Sequence, residues 1–240
     1  MEWTGTDVAR RRLVMLGLVL GPVLTTASVV FGLGGGEPES MRTGFDVMAT
    51  RSGQILAQDL LETVGFAIVL TALAAATLPL RSRGGVLGVV GAVLAFIGIA
   101  GFALTNGSGL TVVALAQLPD RNAAFHAAQA ITSNGPIAVA GTVGWLLEIA
   151  GQVGILLVLA GLWRGRIAPP WPLVLGVVGV LVNAVIGTMV ATLAADVLLL
   201  AACTWVAVLL GRLPRATWLG APKAQPQASG RSAVDTMTGA

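Results

Sequence analysis

The chain has no tyrosine, and only one cysteine, one histidine and one lysine among its 240 residues; charged residues make up 10% of it. Each shortage excludes something. A lone Cys203 rules out an intramolecular disulfide, and with His126 as the only imidazole the usual zinc sites, which draw on three or four His, Cys or carboxylate ligands, lack donors. Haem would need a well-placed axial group that a single outer-loop histidine does not supply, so neither a metal nor a cofactor is expected. Hydrolase and protease patterns are missing too: there is no G-x-S-x-G, no H-E-x-x-H, and no serine with an evident His and Asp arrangement. No catalytic residue is nominated, and the chain is not expected to be an enzyme. Charge this sparse also excludes a soluble surface.

What is present is apolar. With 55% apolar residues and a mean hydropathy of +0.87, the chain reads as an integral membrane protein of the all-α class, its first partner the lipid bilayer. A net charge of +3 and a pI near 10.4 would point to nucleic acid in a soluble protein. Here the basic residues sit beside apolar runs, where they set topology, so no nucleic-acid partner is expected. Thirteen arginines against one lysine amid abundant Ala, Gly, Val and Leu indicate a GC-rich bacterial source.

Apolar windows cover residues 13–33, 60–80, 86–104, 137–163, 172–188 and 192–211, which predicts a polytopic bundle of six spans. The last two divide a 41-residue apolar run from Trp171 to Gly211, with Gly187 and Thr188 as the turn. Alternate connections hold Arg10, Arg11, Arg12, Arg81, Arg83, Arg164, Arg166, Arg212, Arg215, Lys223 and Arg231, against Arg42, Arg51 and Arg121 on the other side. Eleven against three puts both termini in the cytoplasm of a cell inner (plasma) membrane. Trp3, Trp163, Trp171 and Trp218 fall at the same inner face, where indole rings prefer the headgroup boundary. The domains follow: a basic cytoplasmic N-terminus at 1–12, a transmembrane domain at 13–211, and a disordered cytoplasmic tail at 212–240, rich in Pro, Ala, Gln, Ser and Gly. A signal-peptide reading of the first span is weaker, because its apolar run exceeds the 7–15 residues of a signal h-region.

The first outer loop carries glycines, Pro38 and mixed charge, and the second has moderate apolar content. One short amphipathic turn is expected near 45–48, and an Ala-rich surface helix at 121–132, ended by Gly135 and Pro136. Small residues four apart, Gly17 and Gly21, Gly84 and Gly88, Ala184 and Thr188, predict packing seams within the bundle.

Three acids lie inside the apolar runs. Glu62, Glu148 and Asp196 stand 19, 16 and 16 residues from Arg81, Arg164 and Arg212 respectively. At about 1.5 Å per helical residue that is roughly 24–28 Å, a common depth in the outer leaflet. Carboxylates are costly to insert, so each needs an arginine partner or a function. Arg42, Arg51 and Arg121 lie in the outer loops, from which a long guanidinium can dip a turn or two to cap them as structural pins. The alternative is a shared cavity: Gln152 lies four residues from Glu148 on one helical face, and Asn183 sits at similar depth. Glu62, Glu148, Gln152, Asn183 and Asp196 would then form an ion or proton site. Leu60-Leu61-Glu62 with Gly65 is also echoed by Leu146-Leu147-Glu148 with Gly151, and Val86 to Gly91 by Val174 to Gly179, the pattern of a duplicated helix hairpin.

The segment Gly154 to Trp171, leading into Pro172-Leu173-Val174-Leu175-Gly176, resembles a hairpin of uncharacterised six-span bacterial membrane proteins, through Gly161, Trp163, Arg164, Pro170 and Trp171. The resemblance implies a compact six-helix bundle with short cytoplasmic turns and carries no site residues. Three functions are compatible with these residues. The favoured one is a structural, accessory or partner-binding bundle, its partner another membrane protein or a second copy of the chain. The alternatives are a proton- or cation-coupled carrier of a small solute and a membrane-embedded lipid-modifying enzyme.

Overall fold

The computed structural model describes residues 5–33, 40–80 and 84–218, and within them every element is helical. In chain order these are α1 (Gly5–Leu33), α2 (Met41–Thr50), α3 (Ser52–Ala76), α4 (Gly85–Leu115), α5 (Arg121–Asn134), α6 (Pro136–Arg164), α7 (Trp171–Ile186), α8 (Met189–Arg212) and the single turn α9 (Arg215–Trp218). Helices α1, α3, α4, α6 and α8 are each long and apolar enough to cross a membrane, and the chain is an all-α multi-pass membrane protein. α7 is apolar but has 16 residues, about 24 Å of helix against a hydrocarbon core of about 30 Å. Trp3, Arg81, Arg83, the glycines at 34–36 and the tail from 219, with Lys223 and Arg231, lie outside the described residues.

Hydropathy windows and helices differ where polar residues are tolerated. α4 continues to Leu115 instead of closing at 104, because its polar residues satisfy their own groups: Ser108 Oγ donates to the Thr105 carbonyl at 2.7 Å and Thr111 Oγ1 to that of Gly107 at 3.1 Å. Asn106 Nδ2 donates across to Thr63 Oγ1 on α3 at 2.8 Å. α3 likewise starts at Ser52, ahead of the window at 60. The turn expected near 45–48 is the ten-residue α2, capped by Ser40. α5 starts at Arg121 as expected, with the Asp120 carboxylate accepting from the Asn122 and Ala123 amides. Pro136 then opens α6 as its first residue, where its missing N–H has no consequence.

The long apolar run from Trp171 breaks at Gly187 and Thr188. Gly187 adopts φ +64°, a left-handed conformation that side chains resist, and Thr188 Oγ1 accepts from the Ala191 amide to start α8. The seam expected from Ala184 and Thr188 is therefore not formed: the two residues lie on either side of a turn, and Ala184 is exposed. The other small pairs do pack within the bundle. Gly17 and Gly21 meet Ala72, Val69 and Gly65 of α3, and Gly84 and Gly88 meet Gly161 of α6.

The closest helix pair is α4 with α6. Gly91, Gly98 and Gly101 of α4 oppose Gly154, Gly151 and Gly144 of α6 so tightly that a methyl added at Gly151 would stand 2.7 Å from the Gly98 Cα. In lipid no hydrophobic drive brings helices together, so this backbone approach supplies the attraction. The main core gathers Leu18, Leu70, Leu73, Val158, Leu159, Leu162, Val206 and Leu210 among the long helices. A smaller one, of Phe45, Ala116, Ala124 and Ala128, joins α2 and α5 to the end of α4.

Helix ends sort into two sets. The start of α1 meets the end of α8, where Arg11 donates to the Gly211 carbonyl and Arg215 pairs with Asp7 at 2.7 Å. The start of α4 meets the end of α6 through Gly84 and Gly161, and Trp171 at the start of α7 is 6.2 Å from Trp205 in the second half of α8. The first residues of the predicted tail are ordered: α9 buries Trp218 against this same end.

Candidate functional site

A cavity of about 260 Å³ lies among α3, α4, α6, α7 and α8, and Glu62, Glu148, Gln152, Asn183 and Asp196 all line it. Five residues from four helices thus meet where the sequence could place them only at a common depth. Water occupies about 30 Å³ in the liquid, so the space admits several waters or one small solute.

Each acid is aimed by its helix. Glu148 and Gln152 are four residues apart on α6, hence on one face, and Gly151 between them is pressed against Gly98. On α3, Gly65 packs under Thr25 and Gly21 of α1, and Glu62, three residues earlier and so to one side of that contact, lines the cavity. The two glutamates of the sequence echo therefore share one cavity, each followed by a glycine that docks its helix on a neighbour. On α8, Thr192 stands one turn before Asp196, its hydroxyl 2.9 Å from Asn183 Oδ1, a link that ties the end of α7 to the start of α8.

The arginine caps expected for these acids do not form. Arg42 pairs instead with Asp46 at 3.6 Å and stands 5.0 Å over the Phe125 ring, both within the α2 and α5 cap. Among the described residues no ion pair joins Glu62, Glu148 or Asp196 to any arginine, and no hydrogen bond engages the side chains of these three or of Gln152. Asp196 is only 8% exposed. A buried carboxylate without a partner is destabilising in a packed protein, so what compensates it must come through the cavity.

The rest of the lining went unrecognised in the sequence. Phe66 and Phe102 stack with centroids 3.8 Å apart and planes 19° from parallel, and Ile155, Val180 and Leu199 extend the apolar wall. Phe66 follows Glu62 by four residues and Thr192 precedes Asp196 by four, so helical spacing from the acids would have found both. Phe102 carries no such signal. His126 is exposed on α5, 5.8 Å from the Phe125 ring and remote from this lining. Comparison with protein-family models, with curated proteins and with solved structures finds no match for the chain.

Proposed function

We propose that the protein is a proton- or cation-coupled carrier of a small solute, working in a bacterial inner membrane. The observation that carries this reading is the convergence of three acids free of arginine partners on one cavity. A carboxylate in this setting is neutralised either by a proton or by a bound cation, and one site that accepts either in turn exchanges them. A structural bundle would pin these acids with arginine caps, and the caps are missing, which favours the carrier over the bundle.

The topology of the proposal has six crossings with both termini cytoplasmic, α7 serving as a short sixth. Its supports are the arginine count and the shared bundle end that holds the start of α1, the end of α6, the start of α7 and the end of α8. A short α7, joined to α8 through Gly187, lines the cavity through Gly176, Gly179, Val180 and Asn183.

The test is reconstitution of the full chain into liposomes that hold a pH-sensitive dye, followed by inward gradients of Na⁺, K⁺ and tetramethylammonium, which has no neutral form to cross the bilayer, in turn and against protein-free vesicles as the baseline. Exchange predicts that at least one cation raises the internal pH, and that Asp196→Asn and Glu62→Gln each slow this at least tenfold while remaining folded. Vesicles indifferent to the whole panel, or variants as active as the parent, would refute it and return the chain to the structural or partner-binding class.

A further inference from the structure

We infer that the cavity is built for a small organic monocation, an ammonium group on an apolar or aryl body, and not for a bare or hydrated inorganic ion. The inference rests on the reading of this same cavity as a cation site and names the class of its occupant.

Two layers of different chemistry line the space. One holds Asp196, 8% exposed and without a hydrogen-bond or ion-pair partner among the described residues, with Glu62 and Glu148. The other, one or two turns further along the same helix faces, holds Phe66, Leu199 and Ile155, with Phe102 of α4 stacked on Phe66. An inorganic ion meets two obstacles here. Stripped of water, a divalent ion requires several oxygen ligands at short range, and among the described residues no group of three or more His, Cys, Asp or Glu is arranged to hold one, while a bare Na⁺ or K⁺ would leave Phe66, Phe102, Ile155 and Leu199 uncovered. Keeping its water, it would press a hydration shell against aromatic and aliphatic carbon, where ordered water lacks the two to four polar partners it needs.

An organic ammonium avoids both obstacles. Its N–H groups or its charge reach the carboxylates as charge-assisted contacts, its body displaces poorly held water from the apolar wall, and the aromatic pair adds attraction for the cation. The cavity of about 260 Å³ admits a fragment of that size, and Gln152 and Asn183 remain to receive a second polar group.

The experiment is calorimetric titration of the full chain in detergent, at one fixed pH, with 2-phenylethylammonium, its neutral isostere 2-phenylethanol, Na⁺ and Mg²⁺. The expected result is saturable binding of 2-phenylethylammonium at one site, no measurable binding of 2-phenylethanol, and no displacement by a tenfold excess of Na⁺. Asp196→Asn should weaken binding at least tenfold. Phe102→Leu, which keeps an apolar side chain and alters no charge, should weaken it about fivefold and decides the matter by itself should the Asp196 variant unfold. Equal binding of the alcohol, displacement by equimolar Na⁺, or unchanged affinity in both variants would overturn the inference. Exchange of protons for Na⁺ or K⁺ in liposomes, with no 2-phenylethylammonium binding, would overturn the inference and leave the carrier standing. Selective binding with no exchange of any cation would do the reverse.

Discussion

Replacing Gly151 with alanine should loosen the whole bundle at its tightest point. The new methyl would lie 2.7 Å from the Gly98 Cα, a backbone atom that cannot swing aside. Ordinary contact needs about 3.5–4.0 Å, so α4 and α6 must part locally by about 1 Å. That separation is felt along the seam, at Gly91 against Val158, Gly154 against Ala95 and Gly101 against Glu148. A gap of 0.5–1 Å forfeits roughly a quarter to a half of each contact of about 0.1–0.2 kcal/mol, and over a long helix pair the loss is on the order of 1–3 kcal/mol, the usual cost of overpacking. The helix-propensity gain of alanine over glycine, up to about 1 kcal/mol, opposes but does not cancel it. The assay is equilibrium unfolding in mixed detergent micelles, with Gly107→Ala as control. Gly107 lies in α4 with nothing within 4 Å of an added methyl, so the same substitution there should be neutral or stabilising by up to about 1 kcal/mol. Equal stability for the Gly151 and Gly107 variants would refute the claim that backbone contact holds α4 to α6.

Two further stability measurements address polar groups. Thr105 Oγ1 is buried without a hydrogen-bond partner in the seam beside Gly144, so Thr105→Val, near in shape, should leave stability unchanged or raise it by up to about 1 kcal/mol; a loss of more than that in the same unfolding assay would mean the hydroxyl has a partner. The Asp7 and Arg215 pair, 2.7 Å apart with side chains 21% and 16% exposed, joins the start of α1 to α9. Arg215→Ala should lower stability by about 1.5–3 kcal/mol, the range for a hydrogen bond to a charged group, and should raise proteolysis near Trp218, as limited digestion would reveal; an unchanged digestion pattern would show that the apolar seat of Trp218 holds this end by itself.

Composition, periodicity and charge spacing were enough to determine the all-α membrane class, the turn at Gly187, the start of α5 and the shared depth of Glu62, Glu148 and Asp196, because these follow from local chemistry and from rise per residue. They misjudged helix ends, since hydropathy stops at the first polar residues while helices such as α4 continue by satisfying hydroxyls on their own carbonyls. They also paired Ala184 with Thr188 across what is a turn. Depth is a coordinate along an axis; azimuth is not readable from a helix whose sides are all apolar. Whether the acids face arginine, lipid or one another therefore depends on how α3, α4, α6 and α8 rotate to bring glycine against glycine. Only the tertiary structure decided that Gly65 docks α3 on α1 and Gly151 docks α6 on α4, that the acids line one cavity together with Phe66 and Phe102, and that Arg42 directs its charge to Asp46. The physical reason is that small-residue contact, the main attraction between helices in lipid, fixes helix rotation, and rotation assigns each side chain its neighbours.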